Sequence, residues 1–301
     1  MSHWGEILAI AAAILWAFGG TLFGMAGRHS SAVLVNAIRL PAGALLLWLT
    51  WIVMTGSLWP EGFGLRQHFW LGLSGVLGLA VGDSFYYKGI MLAGPRRASL
   101  TLAATPVGVS LLAWPVLGER LDWLAVTGIA VVVGGLSISV LGHDPGAGDH
   151  RDLPRRRIYL GLAGGLVCAV CTAIGNVLAK LGMPGETSPL AATLVRGLWA
   201  AAGMGLFVLV RPAIWRDARR LGDKRVWRPL SFAIFLGPFI GMWVAVTSLK
   251  LTEAGVASVL MNIMPITVLL PAWIFHRDKP SPMSLLGVVV ALAGGALLFL
   301  R

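Results

Sequence analysis

The chain has 301 residues, of which 57% are hydrophobic and 12% are charged, and its mean hydropathy is +0.80. So few charges cannot cover the surface of a water-soluble protein, which excludes the two soluble domains that the length would otherwise suggest. The net charge of +11 is expected to face anionic lipid and to orient helices, and no binding of nucleic acid is expected.

Apolar runs of about twenty residues separate the charges, and this is the length that spans a ~30 Å hydrocarbon core. They predict an all-α membrane protein with ten spans, near 6–26, 32–54, 68–92, 97–117, 121–141, 158–180, 190–210, 230–251, 256–275 and 283–300. The first run is long and lacks a preceding basic segment, so we expect it to be retained and not cleaved as a signal peptide.

A linker rich in glycine, proline and charge, residues 143–157, lies at the midpoint of the chain. It predicts a first five-helix repeat over residues 1–142 and a second over 158–301, both within one membrane domain.

The two halves share residues at a single offset of 159 positions. Glycine, proline and tryptophan matches depend on backbone and packing, so they indicate a true repeat more strongly than matched leucines do. The matches pair Gly78 with Gly237, Gly82 with Gly241, Leu92 with Leu251, Ala98-Ser99 with Ala257-Ser258, Pro106 with Pro265, Trp114 with Trp273, Glu119 with Asp278 and Gly128 with Gly287.

An odd number of spans in each half means that the second half enters the membrane from the opposite side, as in many secondary transporters. The distribution of basic residues agrees with this inversion. The loops that follow odd-numbered spans hold 16 Lys and Arg, whereas the other loops and both termini hold three. The positive-inside rule therefore predicts cytoplasmic loops 5–6 and 7–8 and both termini outside.

Small residues at four-residue spacing predict close helix packing in lipid. Spans five and ten carry such ridges and no internal charge, so we expect them to be peripheral and to contact a neighbouring helix, within the chain or in a homodimer. The predicted ridges are Ala130/Gly134 and Gly287/Ala291/Gly295.

Prolines inside spans remove a helical hydrogen bond and bend the helix. The paired Pro106 and Pro265 are the candidates for gating bends, and a static kink is the alternative.

The repeated segments resemble the EamA-type drug/metabolite transporter superfamily. The resemblance lies in GPRRASLTLAATPVGVSLLAWPVLGER and its echo GVASVLMNIMPITVLLPAWIFHRD, each with an Ala-Ser pair, a proline seven residues later and an acidic residue after the span. It implies a ten-helix carrier with a central cavity that works by alternating access. Relatives move amino acids, sugars, nucleotide sugars, organophosphates or drugs, and are usually drawn with cytoplasmic termini, unlike the charge pattern here.

Charged side chains inside hydrocarbon are costly, so each is a candidate for function. Arg39 lies about two turns into span two, and Arg196 has the matching depth in span seven at an offset of 157. Asp83 lies in span three, and its repeat partner is Met242. We expect Arg39, Asp83 and Arg196 to meet near mid-membrane, where inverted-repeat carriers bind substrate. Further candidates along the pathway are Asn36, Tyr86, Tyr87, Lys88, Asn176 and Asn262.

Structural roles are the alternative for these residues. Asp83 or helix carbonyls could neutralise both arginines without any contact with substrate, and Asp83 is either a proton-coupling group or part of a salt bridge. Lys180 and Lys250 lie near helix ends, where lysines commonly extend to the membrane interface.

Enzyme signatures are weak. Residues 72–75 spell GxSG, but a serine hydrolase needs a histidine base, and all six histidines lie in loops or at span ends. No Walker A loop is present. Cys168 and Cys171 lie mid-span, where packing is favoured over redox or metal chemistry.

The sequence therefore predicts a non-enzymatic secondary transporter of small polar metabolites, whether amino-acid-like, organic-anion or drug-like, in the cell (inner) membrane. Transport would be proton-coupled or by exchange, and the excess of internal arginine and lysine over acid favours an anionic or zwitterionic solute. The expected partners are this solute and lipid, with no cofactor or metal. The alternatives are a non-transporting membrane scaffold or receptor and an intramembrane hydrolase.

Overall fold

A computed structural model describes residues 3–27, 32–93, 101–102, 104–142, 154–210, 224–263, 267 and 281–299, and these are helical with short connections and no strand. Two spans contain a wide π-helical turn, named π1 and π2. The helices are α1 Trp4–Gly27, α2 Ala32–Thr55, α3 Leu65–Gly75, π1 Val76–Gly82, α4 Asp83–Ala93, α5 Thr105–Leu117, α6 Trp123–Gly142, α7 Arg155–Leu181, α8 Pro189–Leu209, α9 Lys224–Ile234, π2 Phe235–Gly241, α10 Met242–Leu251, α11 Ala254–Met261 and α12 Pro282–Phe299.

All ten predicted spans have a helical counterpart among the described residues, with α3–π1–α4 forming span three and α9–π2–α10 forming span eight. Six of these helical segments are long and apolar enough to cross a membrane, and three shorter ones are also apolar. The eighth span begins at Lys224, six residues before its predicted start. Residues 143–153 lie outside the described part of the chain, so the division into repeats at 143–157 stays a prediction.

The offset of 159 residues holds for the helices as well as for the sequence. It relates the bounds of α3 to those of α9 and the bounds of π1 to those of π2. The last residue of each π turn is glycine, Gly82 or Gly241. A Cβ on Gly82 would lie 3.2 Å from the Leu77 carbonyl oxygen, and one on Gly241 would lie 2.5 Å from that of Leu236. A side chain would therefore displace the carbonyl at Gly241 and crowd the one at Gly82.

The two repeats interlock, because helices of one half pack along helices of the other. On one side α3, π1 and α4 lie along α7, where the Ser74 hydroxyl donates to the Gly175 carbonyl at 2.6 Å. On the other side α9, π2 and α10 lie along α1, where Ser248 donates to the Gly5 carbonyl at 2.7 Å. Each half is therefore completed by the first span of the other.

Helices α6 and α12, which are spans five and ten, pack against each other within the chain. A Cβ on Gly135 would lie 2.4 Å from the Ala291 nitrogen, and one on Gly294 would lie 2.6 Å from the Val132 nitrogen. The two helices use equivalent faces at the repeat offset, Gly128/Val132/Gly135 and Gly287/Ala291/Gly294.

Within the chain, the face of span five that contacts α12 carries Gly135 and not the predicted ridge Ala130/Gly134. Ala130 is exposed, and a Cβ on Gly134 would meet no atom within 4 Å. On span ten Ala291 is at the contact, but the nearest atom to a Cβ on Gly295 would be a Leu260 methyl at 3.9 Å. The homodimer through these spans stays a prediction, and it would have to use the faces that carry Ala130 and Gly134.

Candidate functional site

Arg39 and Asp83 form an ion pair between spans two and three, from Nη2 to Oδ2. The Arg39 Nε donates to Asn36 Oδ1 at 2.7 Å, and the fully buried Asn36 donates in turn to the Ser84 hydroxyl at 3.4 Å. Arg39 is one turn after Asn36 on α2, and Asp83 and Ser84 are the first residues after π1. The packing of α2 against α4 therefore brings all four polar groups together.

Two aromatic rings flank the Arg39 guanidinium. Its Cζ lies 5.4 Å from the centre of the Phe23 ring and 5.5 Å from that of Tyr87, both within the range of cation–π attraction. The side chains of Arg39 and Asp83 are 12% and 24% exposed. This cluster of Phe23, Asn36, Arg39, Asp83 and Tyr87, called here the Arg39 cluster, leaves the Arg39 charge paired.

Arg196 has the opposite environment. It is 4% exposed, and its Nε has no hydrogen-bond partner among the residues that the structure describes. Its Nη2 lies 3.3 Å from the point that a Cβ on Gly78 would occupy, and a Cβ on Gly75 would lie 2.2 Å from the Arg196 carbonyl oxygen. The glycines of span three thus allow span seven to approach and the guanidinium to reach π1.

Both arginines contact span three. The Arg196 side chain reaches Gly78, and Arg39 binds Asp83 of the same span. These two positions are five residues apart, the spacing of the i→i+5 hydrogen bond of a π-helix. π-helical turns occur frequently at functional sites, and π1 contains Gly78 and ends directly before Asp83.

The remaining predicted residues are dispersed. Tyr86 is half-buried with its ring 5.9 Å from that of Tyr87, and Lys88 is exposed. Asn176 is buried in α7 beside Gly175. The Asn262 amide donates to the Ser258 carbonyl at 2.8 Å, which caps its own helix. That bond gives Asn262 a structural role.

Pro106 lies in the first turn of α5. Proline is well accommodated there, because the first residues of a helix have no carbonyl partner for their N–H groups. Pro265 lies outside the described residues. A gating role for either proline stays a prediction.

Cys168 and Cys171 lie on the packed face of α7. A Cβ on Gly82 would lie 3.2 Å from the Cys171 Cβ and 3.7 Å from the Cys168 carbonyl oxygen. These contacts agree with the interpretation of both cysteines as packing residues.

A second polar cluster, not predicted from the sequence, joins the ends of several spans. Glu119 Oε1 lies 2.6 Å from Lys180 Nζ, and Lys180 also donates to the Thr252 carbonyl. The Ala254 N–H donates to Glu119 Oε2 at 2.8 Å, and the Thr252 hydroxyl donates to Glu6 Oε1 at 3.1 Å. We call these five residues the end cluster, and they tie α1, α5, α7, α10 and α11 together at one face of the bundle.

Lys250 is also held by protein groups. It donates to the carbonyls of Gly185 and Thr187 in the connection between α7 and α8, the latter at 2.9 Å. Lys180 and Lys250 thus both lie at span ends, where each binds backbone carbonyls; that they extend to the membrane interface stays a prediction.

Ten helical segments in two inverted five-helix repeats, with charges held between spans, define a multi-pass α-helical membrane protein. The profile of the EamA-like transporter family matches residues 3–141 and 159–300, one match for each repeat. The chain belongs to this family of small-molecule membrane transporters.

One solved crystal structure is similar over 98% of this chain and 96% of its own length, with a TM-score of 0.77 and 18% sequence identity. At that identity the likeness shows the fold alone. No curated protein matches the sequence.

Proposed function

We propose that the protein is a secondary transporter of small polar metabolites that works by alternating access around Arg39, Asp83 and Arg196. The observation that carries this proposal is the pair of arginines at matching depth in the two repeats, one paired with Asp83 and one whose buried Nε has no hydrogen-bond partner among the described residues. A buried guanidinium costs about 2.5–3.5 kcal/mol at the centre of a membrane helix. Such a cost is typically tolerated where the charge serves a ligand.

The interlocked inverted repeats support the alternating-access part of the proposal. Two equivalent halves can exchange their packing, so that the site between them opens to one side and then to the other. The end cluster closes one face of the bundle. We propose that it belongs to the gate at that face and that its bonds break when the face opens.

The distribution of basic residues supports an orientation for the carrier. On this proposal both termini lie outside, together with the face that carries the end cluster, and the basic loops 5–6 and 7–8 lie in the cytoplasm. The deep Asp83 is the candidate for proton coupling, with exchange of solutes as the other mode.

The alternative functions have less support. The hydroxyl of Ser74, the serine of the GxSG segment, is fully buried and donates to the Gly175 carbonyl, so it serves helix packing rather than nucleophilic attack. A scaffold or receptor would need no costly charges between its spans.

The test is a solute screen on the purified protein by thermal shift, followed by counterflow with the stabilising solutes in proteoliposomes. We expect saturable uptake of a labelled solute that is driven by the same solute inside the vesicle. If uptake equals that of protein-free liposomes for every solute that stabilises the protein, the carrier function is excluded and a receptor function is favoured.

A further inference from the structure

We propose that the substrate is a small organic anion whose carboxylate or phosphate binds Arg196, in the role that Asp83 has for Arg39. This inference rests on the proposed carrier function and names the chemistry of its site. A carboxylate and a phosphate each offer at least two oxygen acceptors, which suit the paired N–H donors of a guanidinium.

The two arginines occupy equivalent places in the fold. Arg39 is the eighth residue of α2, and Arg196 is the eighth residue of α8. Asp83 and Met242 are also equivalent, because each is the first residue after its π turn. The position that supplies the counter-ion in the first repeat therefore holds a thioether in the second.

The other partners of Arg39 are replaced as well. At the repeat offsets Asn36 corresponds to Thr193, and Tyr87 corresponds to Val246. The Thr193 hydroxyl donates to the Pro189 carbonyl at 2.6 Å, and valine offers neither an acceptor nor a ring. The second repeat has kept the cation and lost the groups that neutralise it.

Met242 occupies the position that is equivalent to that of the Asp83 counter-ion. It is 4% exposed, and its Cε is 3.3 Å from the point that a Cβ on Gly197, the neighbour of Arg196, would occupy. The side chain at position 242 therefore packs against span seven at the residue that follows Arg196.

The sequence offers no second internal carboxylate. Of its 13 acidic residues, Asp83 alone lies deep within an apolar span, and Asp83 is already bound to Arg39. An ammonium group on the substrate would have to displace Arg39 from Asp83. The charges thus favour a net anion over a zwitterion.

The first test is a double-mutant cycle that needs no ligand. Met242→Asp is made in the wild-type protein and in Arg196→Gln, with Met242→Asn as the uncharged control, and the melting temperature of each purified protein is measured. We expect the aspartate to be better tolerated with Arg196 present, by at least about 2–4 °C, and the asparagine to show no such dependence. An equal loss in both backgrounds, or failure of Met242→Asp to fold with Arg196 present, would overturn the proposal.

The second test uses sodium lactate, sodium phosphate and glycine as probes, each against sodium chloride at the same ionic strength. Lactate or phosphate should raise the melting temperature of the wild-type protein, and which of them does so distinguishes carboxylate from phosphate. The shift should disappear in Arg196→Gln and in Met242→Asp, where the new carboxylate occupies the site. A shift by glycine alone, or equal shifts in wild type and Arg196→Gln, or no shift by either anion, contradicts the anion site.

Both tests measure the melting temperature of purified protein and need no transport, so they separate this inference from the carrier function. Anion binding that depends on Arg196 without any counterflow would exclude the carrier function and support the anion site. Counterflow of an uncharged solute that is unaffected by Arg196→Gln would support the carrier function and exclude the anion site.

Discussion

Replacing Gly135 by alanine should destabilise the contact between α6 and α12. The added Cβ would lie 2.4 Å from the Ala291 nitrogen and 2.7 Å from the Gly287 carbonyl oxygen. Ordinary contact begins near 3.4 Å, so the two backbones must separate by about 1 Å or distort. Overpacking of this kind typically costs about 1–3 kcal/mol, which corresponds to a fall in melting temperature of about 2–4 °C for each kcal/mol.

The neighbouring Gly134 gives a matched control. A Cβ there would meet no atom within 4 Å, so Gly134→Ala should leave the melting temperature unchanged or raise it slightly through helix propensity. Both variants are purified in the same detergent and unfolded by heat, and solute affinity is measured in parallel. Because the contact is peripheral to the arginines, Gly135→Ala should leave solute affinity unchanged. Equal melting temperatures for the two variants, or a greater loss for Gly134→Ala, would refute the packing register.

Three further predictions concern orientation, gating and coupling. In a cysteine-free background, an impermeant maleimide should label Ser2→Cys on intact cells and label Ala218→Cys only after permeabilisation; labelling of intact cells at 218 alone reverses the orientation. Glu119→Gln and Lys180→Gln should each lower the melting temperature, with a coupling of about 0.5–3 kcal/mol in the double variant, and simple additivity would mean that the end cluster is not closed by this pair. Asp83→Asn should flatten the pH dependence of transport if Asp83 carries the proton, and unchanged pH-dependent flux would exclude it.

The repeat could be predicted because glycine, proline and tryptophan recur at one offset, and the helices preserve that offset from α3 to α10. The π turns could not be predicted, since no residue pattern distinguishes their widened hydrogen bonding from an ordinary helix. The matched glycines, Gly78 with Gly237 and Gly82 with Gly241, indicated a shared backbone feature there. The role of Gly82 and Gly241 as the turn-closing glycines depends on carbonyl positions that the sequence does not contain.

The register of the α6–α12 contact shows a second limit. Each helix carries adjacent glycines, Gly134-Gly135 and Gly294-Gly295. Adjacent residues in a helix face directions about 100° apart, so a four-residue spacing fits either glycine. Which of them contacts the other helix of the chain depends on how the two helices cross, and the ridge that starts at Ala130 contains the glycine that does not.

For the candidate site, the Arg39–Asp83 pair was among the alternatives, because Asp83 is the one acid within reach of a deep arginine. The flanking Phe23 ring and the end cluster were missed, since they join residues far apart in the chain. The isolation of Arg196 could be suspected from the exchange of Asp83 for Met242, but its approach to Gly78 required the packed helices.

The most direct measurement of the central claim is counterflow in proteoliposomes with the anion that stabilises the wild-type protein most. Wild type, Arg196→Gln and Gly134→Ala are compared at equal reconstitution. The account predicts saturable counterflow in wild type and Gly134→Ala, and an apparent affinity at least about tenfold weaker in Arg196→Gln, since a charged hydrogen bond contributes about 1.5–3 kcal/mol. Equal affinities in all three proteins would contradict it.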